Sequence, residues 1–308
     1  MRTLAAAVIL LMPGVAGAVS AWQLSTSANI GLSSYQDSQL ADAQSELSFF
    51  VDGQYLDGLG IGGGYIRRDR SDTSANGLVT NIIYLGIWKT LYLDMLPGKM
   101  SLILDGYRSD GSVDQSGQSK GANVSTQVEI DDMEVISPAL VYVNESKSYS
   151  VDVSYAESRI YSVTNNLPDV TVRQWVPAVS IIFNDQFDRL RLKYYHVSLS
   201  NDSRAAGVNQ TAATEVKWTH WFSTNDTGLI DMTLSLLAGD RQYGIDRDTR
   251  RIDSFAELLK KAASFGVTWG VNQSSIFYMY AGLERYDDPG VGSHYETGYL
   301  YMGTKKKW

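Results

Sequence analysis

The sequence predicts an all-β fold: a single up-and-down antiparallel transmembrane β-barrel of about fourteen strands. Four observations predict it. Apolar and polar residues alternate with a period of two in segment after segment. Short, turn-rich connections alternate with longer polar ones along the whole chain. Aromatics are plentiful, with 19 Tyr and 7 Trp, and the N-terminus reads as a leader. A period of two places successive side chains on opposite faces of a strand. Twelve or sixteen strands fit the same pattern.

Residues 1–21 read as a cleaved signal peptide. Met1-Arg2-Thr3 gives a positive start, "LAAAVILLM" (4–12) an apolar core, and "AGA" (16–18) or "VSA" (19–21) a small-residue cleavage site. The apolar run falls well short of the ~20 residues that a spanning helix needs. Residues 22–308 then form one domain. Its first strand is "WQLSTSANIGLS" (22–33), with Trp22, Leu24, Ala28, Ile30 and Leu32 on one face and Gln23, Ser25, Ser27, Asn29 and Ser33 on the other. "YSVDVSY" (149–155), "LRLKYYH" (190–196) and "LIDMTLSLLA" (229–238) repeat the alternation.

Turn chemistry stands at "LDGLG" (56–60), "LPGK" (96–99), "NESK" (144–147), "NDQF" (184–187), "STNDTG" (223–228) and "NQSS" (272–275). Longer polar stretches fall near 34–45, 68–77, 109–124, 162–169, 200–211, 240–253 and 287–294. Six short and seven long connections imply fourteen strands, with alternate connections at opposite ends of the sheet. A soluble sandwich also alternates, but its connections do not sort in this way. Closure removes the unpaired edges that lipid would not tolerate.

Five segments are less regular. "GIGGG" (60–64) is no phosphate loop, because no helix pattern follows it. Glycines in a barrel strand instead let an aromatic ring lie over the backbone or mark strong curvature. "DRQYGIDRDTRR" (240–251) interleaves Asp240, Asp246 and Asp248 with Arg241, Arg247, Arg250 and Arg251. It reads as a solvated surface loop, or as a contact for divalent ions or lipopolysaccharide; "RRDRSD" (67–72) is a smaller version. "IDSFAELLKKAAS" (252–264) fits either a short helix in a loop or the extension of a strand. "HYETGYLYMGTKKKW" (294–308) spaces Tyr295, Tyr299 and Tyr301 evenly and ends on Trp308, but Lys305, Lys306 and Lys307 intervene.

Composition excludes several functions. With no cysteine there are no disulfides and no thiolate metal site. Three widely separated histidines, His196, His220 and His294, do not make a histidine metal site. The formal charge of −8 argues against nucleic acid as a partner. No cofactor is implied.

Taken together, the leader, the even strand count, the two classes of connection and the aromatics resemble the outer-membrane β-barrel proteins of Gram-negative bacteria as a class. The resemblance implies an outer-membrane location, contact with outer-membrane lipid and lipopolysaccharide, and insertion by the outer-membrane assembly machinery. Members usually end on a strand of alternating aromatics closed by Phe or Trp. Here either the last strand ends near Gly303 and the lysines lie in the periplasm, or the terminal signal is atypical.

If apolar faces meet lipid, polar faces line the lumen. That assigns inward Glu46, Asp52 and Gln54 of the second strand, Asp105 of the fifth and Asp152 of the seventh. It also assigns inward Asp231 and Glu284. Arg189, Arg191, Lys193 and Lys217 form a basic wall on adjacent strands, with Asp105, Asp152, Glu215 and Glu296 as acidic counterparts. Opposed charged walls suit a passive pore for small polar or charged solutes. Alternatively the groups neutralise one another and partly plug the lumen.

"HVS" (196–198) carries a catalytic alternative. His196 and Ser198 share a face with Leu190, Leu192 and Tyr194, toward lipid, at the outer end of their strand. The pair resembles the His-x-Ser of outer-membrane phospholipase A and of one type of lipid A deacylase, which implies a lipid hydrolase. Those enzymes place Asn directly after the Ser, whereas Leu199-Ser200 precedes Asn201 here. A third group must orient the histidine. With the following loop centred near 205, His196 lies opposite about Thr214 and Ser198 opposite about Ala212, and the nearest acid, Glu215, points inward. A conduit for exported polysaccharide or peptide is a further alternative.

Overall fold

The protein is described by a computed structural model covering residues 22–38, 42–56, 58–71, 77–93, 96–114, 131–162, 168–201, 207–223, 228–252, 257–288 and 293–308. The signal-peptide reading of 1–21 lies outside these residues. Along the chain run β1 (Trp22–Gln36), β2 (Ala43–Tyr55), β3 (Leu59–Ser71), β4 (Gly77–Leu93), β5 (Leu96–Asp114), β6 (Asp131–Asn144), β7 (Tyr149–Ser162) and β8 (Val170–Phe183). Then follow β9 (Asp188–Leu199), β10 (Gln210–Trp221), β11 (Leu229–Arg241), the short β12 (Ile245–Asp246) and β13 (Arg251–Ile252), β14 (Leu258–Asn272), β15 (Ser275–Asp288) and β16 (Ser293–Lys307). Fourteen strands close into one antiparallel barrel, each beside its chain neighbour, with β1 pairing β16; β12 and β13 form a separate hairpin.

The period-two pattern sets the faces. In β8, Val176, Ala178 and Ser180 are buried while Trp175, Val179 and Ile181 are exposed. The exposed aliphatics form a lipid-facing band. From Trp175 to Phe183 the strand advances ~27 Å at ~3.4 Å per residue, which a ~40° tilt reduces to about 20 Å of height. Aromatics mark the band's outer edge, with Tyr155 against Trp175 at 4.8 Å.

Toward the long-loop end the phase inverts. Inward residues become apolar, as with Ile66, Val135, Ile160, Val172 and Val197. Outward residues become polar or charged, as with Arg67, Glu134, Arg159 and Arg173. The barrel has left the hydrocarbon there. Its interior is a packed core and its exterior a wetted surface.

The glycines of "GIGGG" serve close approach. A Cβ on Gly60 would overlap the Trp88 indole, and one on Gly64 would overlap the Phe50 ring. These inward-facing rings lie flat on the wall of the next strand.

Of the 252–264 segment, Ile252 belongs to β13 and residues 258–264 open β14, so the described part is strand; 253–256 lie outside the described residues. The terminal lysines do not leave the barrel. Lys305, Lys306 and Lys307 pair with Ser27, Thr26 and Ser25 of β1. The Trp308 amide donates to the Leu24 carbonyl at 2.9 Å, and the Lys306 ammonium sits 3.8 Å over the Trp308 ring.

Candidate functional site: a plugged lumen

Residues 242–252, which follow β11, do not project from the surface. They fold into the lumen, which corrects the expectation of a solvated or ion-binding surface loop at 240–251. Ile245 pairs with Ile252 and Asp246 with Arg251, leaving Arg247–Arg250 as the tip. The Asp246 carboxylate stiffens that tip by accepting from the Asp248 amide and the Thr249 hydroxyl, both at 3.1 Å.

Two forces hold the hairpin. Tyr243, Ile245 and Ile252 are buried against the apolar inner face, in one cluster with Ile66, Ile82 and Val172. Burying each such side chain is worth ~1.5–3 kcal/mol, as an upper bound. Backbone groups are matched too: Gln174 donates to the Ile245 carbonyl at 2.7 Å and accepts from its amide at 3.1 Å. Arg68 donates to the Ile252 carbonyl at 2.5 Å.

The second force is ionic. Asp248 lies 2.6 Å from Arg191 and 2.7 Å from Lys193. Arg247 meets Asp105 at 3.0 Å, Arg250 meets Asp52 at 2.8 Å, and Arg251 approaches Glu284 at 3.6 Å. The Arg250 guanidinium also lies 4.6 Å from the Tyr84 ring centroid. Burial pushes the Asp248 carboxyl up, but Lys193, Arg191 and Lys217 outweigh it and hold it well below the usual carboxylate range. Asp246 is lowered likewise, with burial opposed chiefly by Lys193. Buried ion pairs largely offset their own desolvation. The apolar contacts therefore supply most of the docking energy, and the charges fix the hairpin's position.

Most sequence-derived lumen residues point inward. Arg191 bridges Asp248 and Asp152, the latter at 2.7 Å. Lys193 reaches Asp246 at 3.3 Å and Glu215 at 3.6 Å. Glu215 also accepts from Tyr195 at 2.6 Å and Ser235 at 2.8 Å. Arg189 donates to Ser180 at 3.0 Å. Lys217 lines the remaining cavity, with no direct ion pair among the described residues. Arg191 and Lys193 are thus neutralised in place, not free as a charged wall.

Glu296 corrects the assignment. It is exposed on the outer face of β16, opposite Arg285. The tyrosines of that strand take the inward phase: Tyr295 is buried, and Tyr299 and Tyr301 line the lumen cavity. An aromatic lumen reverses the parity that an aromatic-out rule assigns.

His196 and Ser198 do face outward. Their partners are Ala212 and Gln210, two residues earlier than the loop centre at 205 implied. Trp175 and Arg173 flank them on β8. Neither side chain has a hydrogen-bond partner among the described residues, so no third group orients the histidine.

Among the described residues, two cavities border the hairpin. One, of 530 Å³, lies beside the plug, walled by Tyr278, Tyr280, Tyr299 and Tyr301 on one flank and reached by Arg250 and Lys217. The other, of 790 Å³, opens toward the short-turn end and is lined by Trp88, Asp105, Arg247 and Trp308. Asp52, Arg250 and Lys305 border both. Sequence reasoning missed the tyrosine wall and the plug arginines. The usable signal was the match of charges in 240–251 to those assigned to the lumen, with Ile245 and Ile252 spaced to cap the set.

No family model and no curated protein matches the sequence. Solved structures match the fold. The CymD monoaromatic hydrocarbon channel superposes with a TM-score of 0.54 at 9% identity, over 94% of this chain and 88% of that one. The Pseudomonas putida toluene transporter TodX gives 0.53 at 10% identity, over 95% and 91%. A Pseudomonas aeruginosa FadL homologue gives 0.52 at 8% identity, over 93% and 90%. The fold is that of Gram-negative outer-membrane channels. Here the lumen is filled by an internal hairpin between the eleventh and twelfth wall strands.

Proposed function

We propose that the chain is a plugged outer-membrane channel for small solutes with an aromatic or apolar part, gated by the hairpin of residues 242–252. The hairpin inside the lumen carries this reading. It occupies the charges that selection of ions would need, and it leaves a cavity walled by tyrosines. Aromatic faces pack well against flat apolar solutes. Likeness in fold to structures named as hydrocarbon channels supports the same solute class. A solute in the cavity meets the Arg250–Asp52 pair before the periplasmic vestibule, so that pair is the inner barrier. The passive polar-solute pore expected from a bare basic wall is the weaker reading, because Arg191 and Lys193 are already paired.

Planar-bilayer recording of the full chain, and of a variant with residues 245–252 replaced by a Gly-Ser linker, tests the gate. The full chain is expected to pass little current and the variant a stable open current. Equal currents would refute the gate. In a thermal-shift titration, toluene is expected to stabilise the full chain and a sugar of similar size is not; equal shifts would refute the solute class.

A further inference from the structure

Just above the outer aromatic edge, the outside of the barrel carries an ordered lattice of opposite charges. Four arginines project outward there, with side-chain exposures of 49% for Arg67, 64% for Arg108, 63% for Arg159 and 61% for Arg173. Each has a carboxylate beside it. Arg67 lies 2.9 Å from Asp69, and Arg108 lies 3.5 Å from Asp110 and 3.7 Å from Glu134. Glu157 is shared by Arg159 at 3.4 Å and Arg173 at 3.5 Å.

The strand register puts these residues at one height. Arg67 faces Asn81, which faces Asp110. Arg108 faces Glu134, which faces Arg159. Glu157 faces Arg173, which faces Ser198. One step nearer the band, the same face carries Tyr65, Ile83, Ile136, Tyr155 and Trp175, all against lipid. The long connections mark this end as the extracellular one. The lattice therefore stands at the headgroup level of the outer leaflet, on six consecutive strands from β3 to β8.

Exposed pairs of this kind add little to stability, and the inward side of the same strands is already packed. Their chemistry fits a partner. Guanidinium groups bind phosphate in a fork, through charge-assisted hydrogen bonds. Carboxylates interleaved with them bind hard divalent cations through oxygen. A layer of phosphates bridged by divalent cations satisfies both sets at once. A layer of anionic phospholipid without bridging cations would leave the carboxylates facing like charge.

We infer that the outward face of β3–β8 is a docking surface for the phosphorylated glycolipid of the outer leaflet, lipid A, with its bridging divalent cations. The arginines take the phosphates. Asp69, Asp110, Glu134 and Glu157 share the cations, while Tyr155 and Trp175 rest on the acyl boundary. The hairpin plug and the lumen take no part, so the inference stands apart from the transport reading.

The full chain in neutral detergent, titrated with purified lipid A and Mg²⁺ and read by native mass spectrometry and thermal shift, tests it. Wild type is expected to hold lipid A adducts that EDTA strips. Replacing Arg67, Arg108, Arg159 and Arg173 together by Ala is expected to weaken them roughly tenfold or more, since charge-assisted bonds are lost. Equal adducts in wild type and variant would overturn the inference. So would phosphatidylglycerol binding as tightly as lipid A, or adducts indifferent to EDTA. If the variant does not fold, the EDTA and phosphatidylglycerol arms on wild type still decide.

Discussion

Asp248 shows how single groups decide the state of the lumen. It sits between Arg191 and Lys193, and both bonds are short. Asp248→Ala removes the carboxylate that both cations share, leaving Arg191 on Asp152 and Lys193 on Asp246 and Glu215. Breaking a buried pair costs ~3–5 kcal/mol; since the Asp248 side chain keeps 30% exposure, screening reduces that to about 2 kcal/mol. The expected outcome is a hairpin that visits the undocked state, read as flickering single-channel current, with the barrel's own melting unchanged. The proton dependence has a fixed sign. The Asp246 and Asp248 carboxyls are held below their ordinary value, so their contribution is complete above the unfolded-state pKa of ~3.9. It is lost only as pH falls through the lowered docked-state value. Conductance is therefore expected to stay low and constant from pH 7 down to about 4, and to rise only in stronger acid. Opening between pH 5 and 7 would point to a different latch.

At the scale of the element, each wall strand combines two environments in one alternating pattern. β8 carries Ala178 and Ser180 inward and Val179 and Ile181 outward within the lipid band. Beyond Trp175 it carries Val172 inward and Arg173 outward. Val172 is 1% exposed, inside the cluster that also holds Ile245 and Ile252 of the plug. Val172→Lys puts an unpaired charge there and is expected to cost on the order of 3 kcal/mol or more. Thr171→Lys, one residue away on the outer face, is expected to change stability by less than about 0.5 kcal/mol. Thermal unfolding of the two variants checks the inversion; equal effects would place the strand entirely in lipid or entirely in water. The same inversion explains what was legible in the sequence. Strand existence and most inward residues followed from period two, and the count from the alternation of short and long connections. Glu296 did not, because its strand turns tyrosines inward and the rule equating aromatic with lipid fails there. The plug was hidden for another reason. Its charges look solvated until they are matched, residue by residue, to Asp52, Asp105, Arg191 and Lys193 on strands far away in the chain.

The whole molecule is a ring, and a ring depends on its seam. β16 pairs with β1 from Ser25↔Lys307 to Gln36↔Glu296, and with β15 from Ser275↔Lys306 upward. The last lysines are therefore held on both sides, and Trp308 finishes the ladder by donating through its indole to Thr26 at 3.2 Å. The positive side chains alternate as the strand does: Lys305 borders both cavities, while Lys306 turns outward over Trp308. Deleting residues 305–308 unpairs the backbone of Ser25, Thr26 and Ser27 on one side and Ser275 and Ile276 on the other. Unpaired amides and carbonyls at a membrane boundary are costly, and here they lie at the point of closure. The truncated chain is expected to refold into lipid vesicles in lower yield and to melt at lower temperature. Replacing the three lysines by serine, with Trp308 kept, preserves the ladder and is expected to melt close to wild type. The comparison separates backbone closure from charge: if the serine variant falls as far as the truncation, the lysine side chains hold the seam. If neither falls, closure is complete by Gly303.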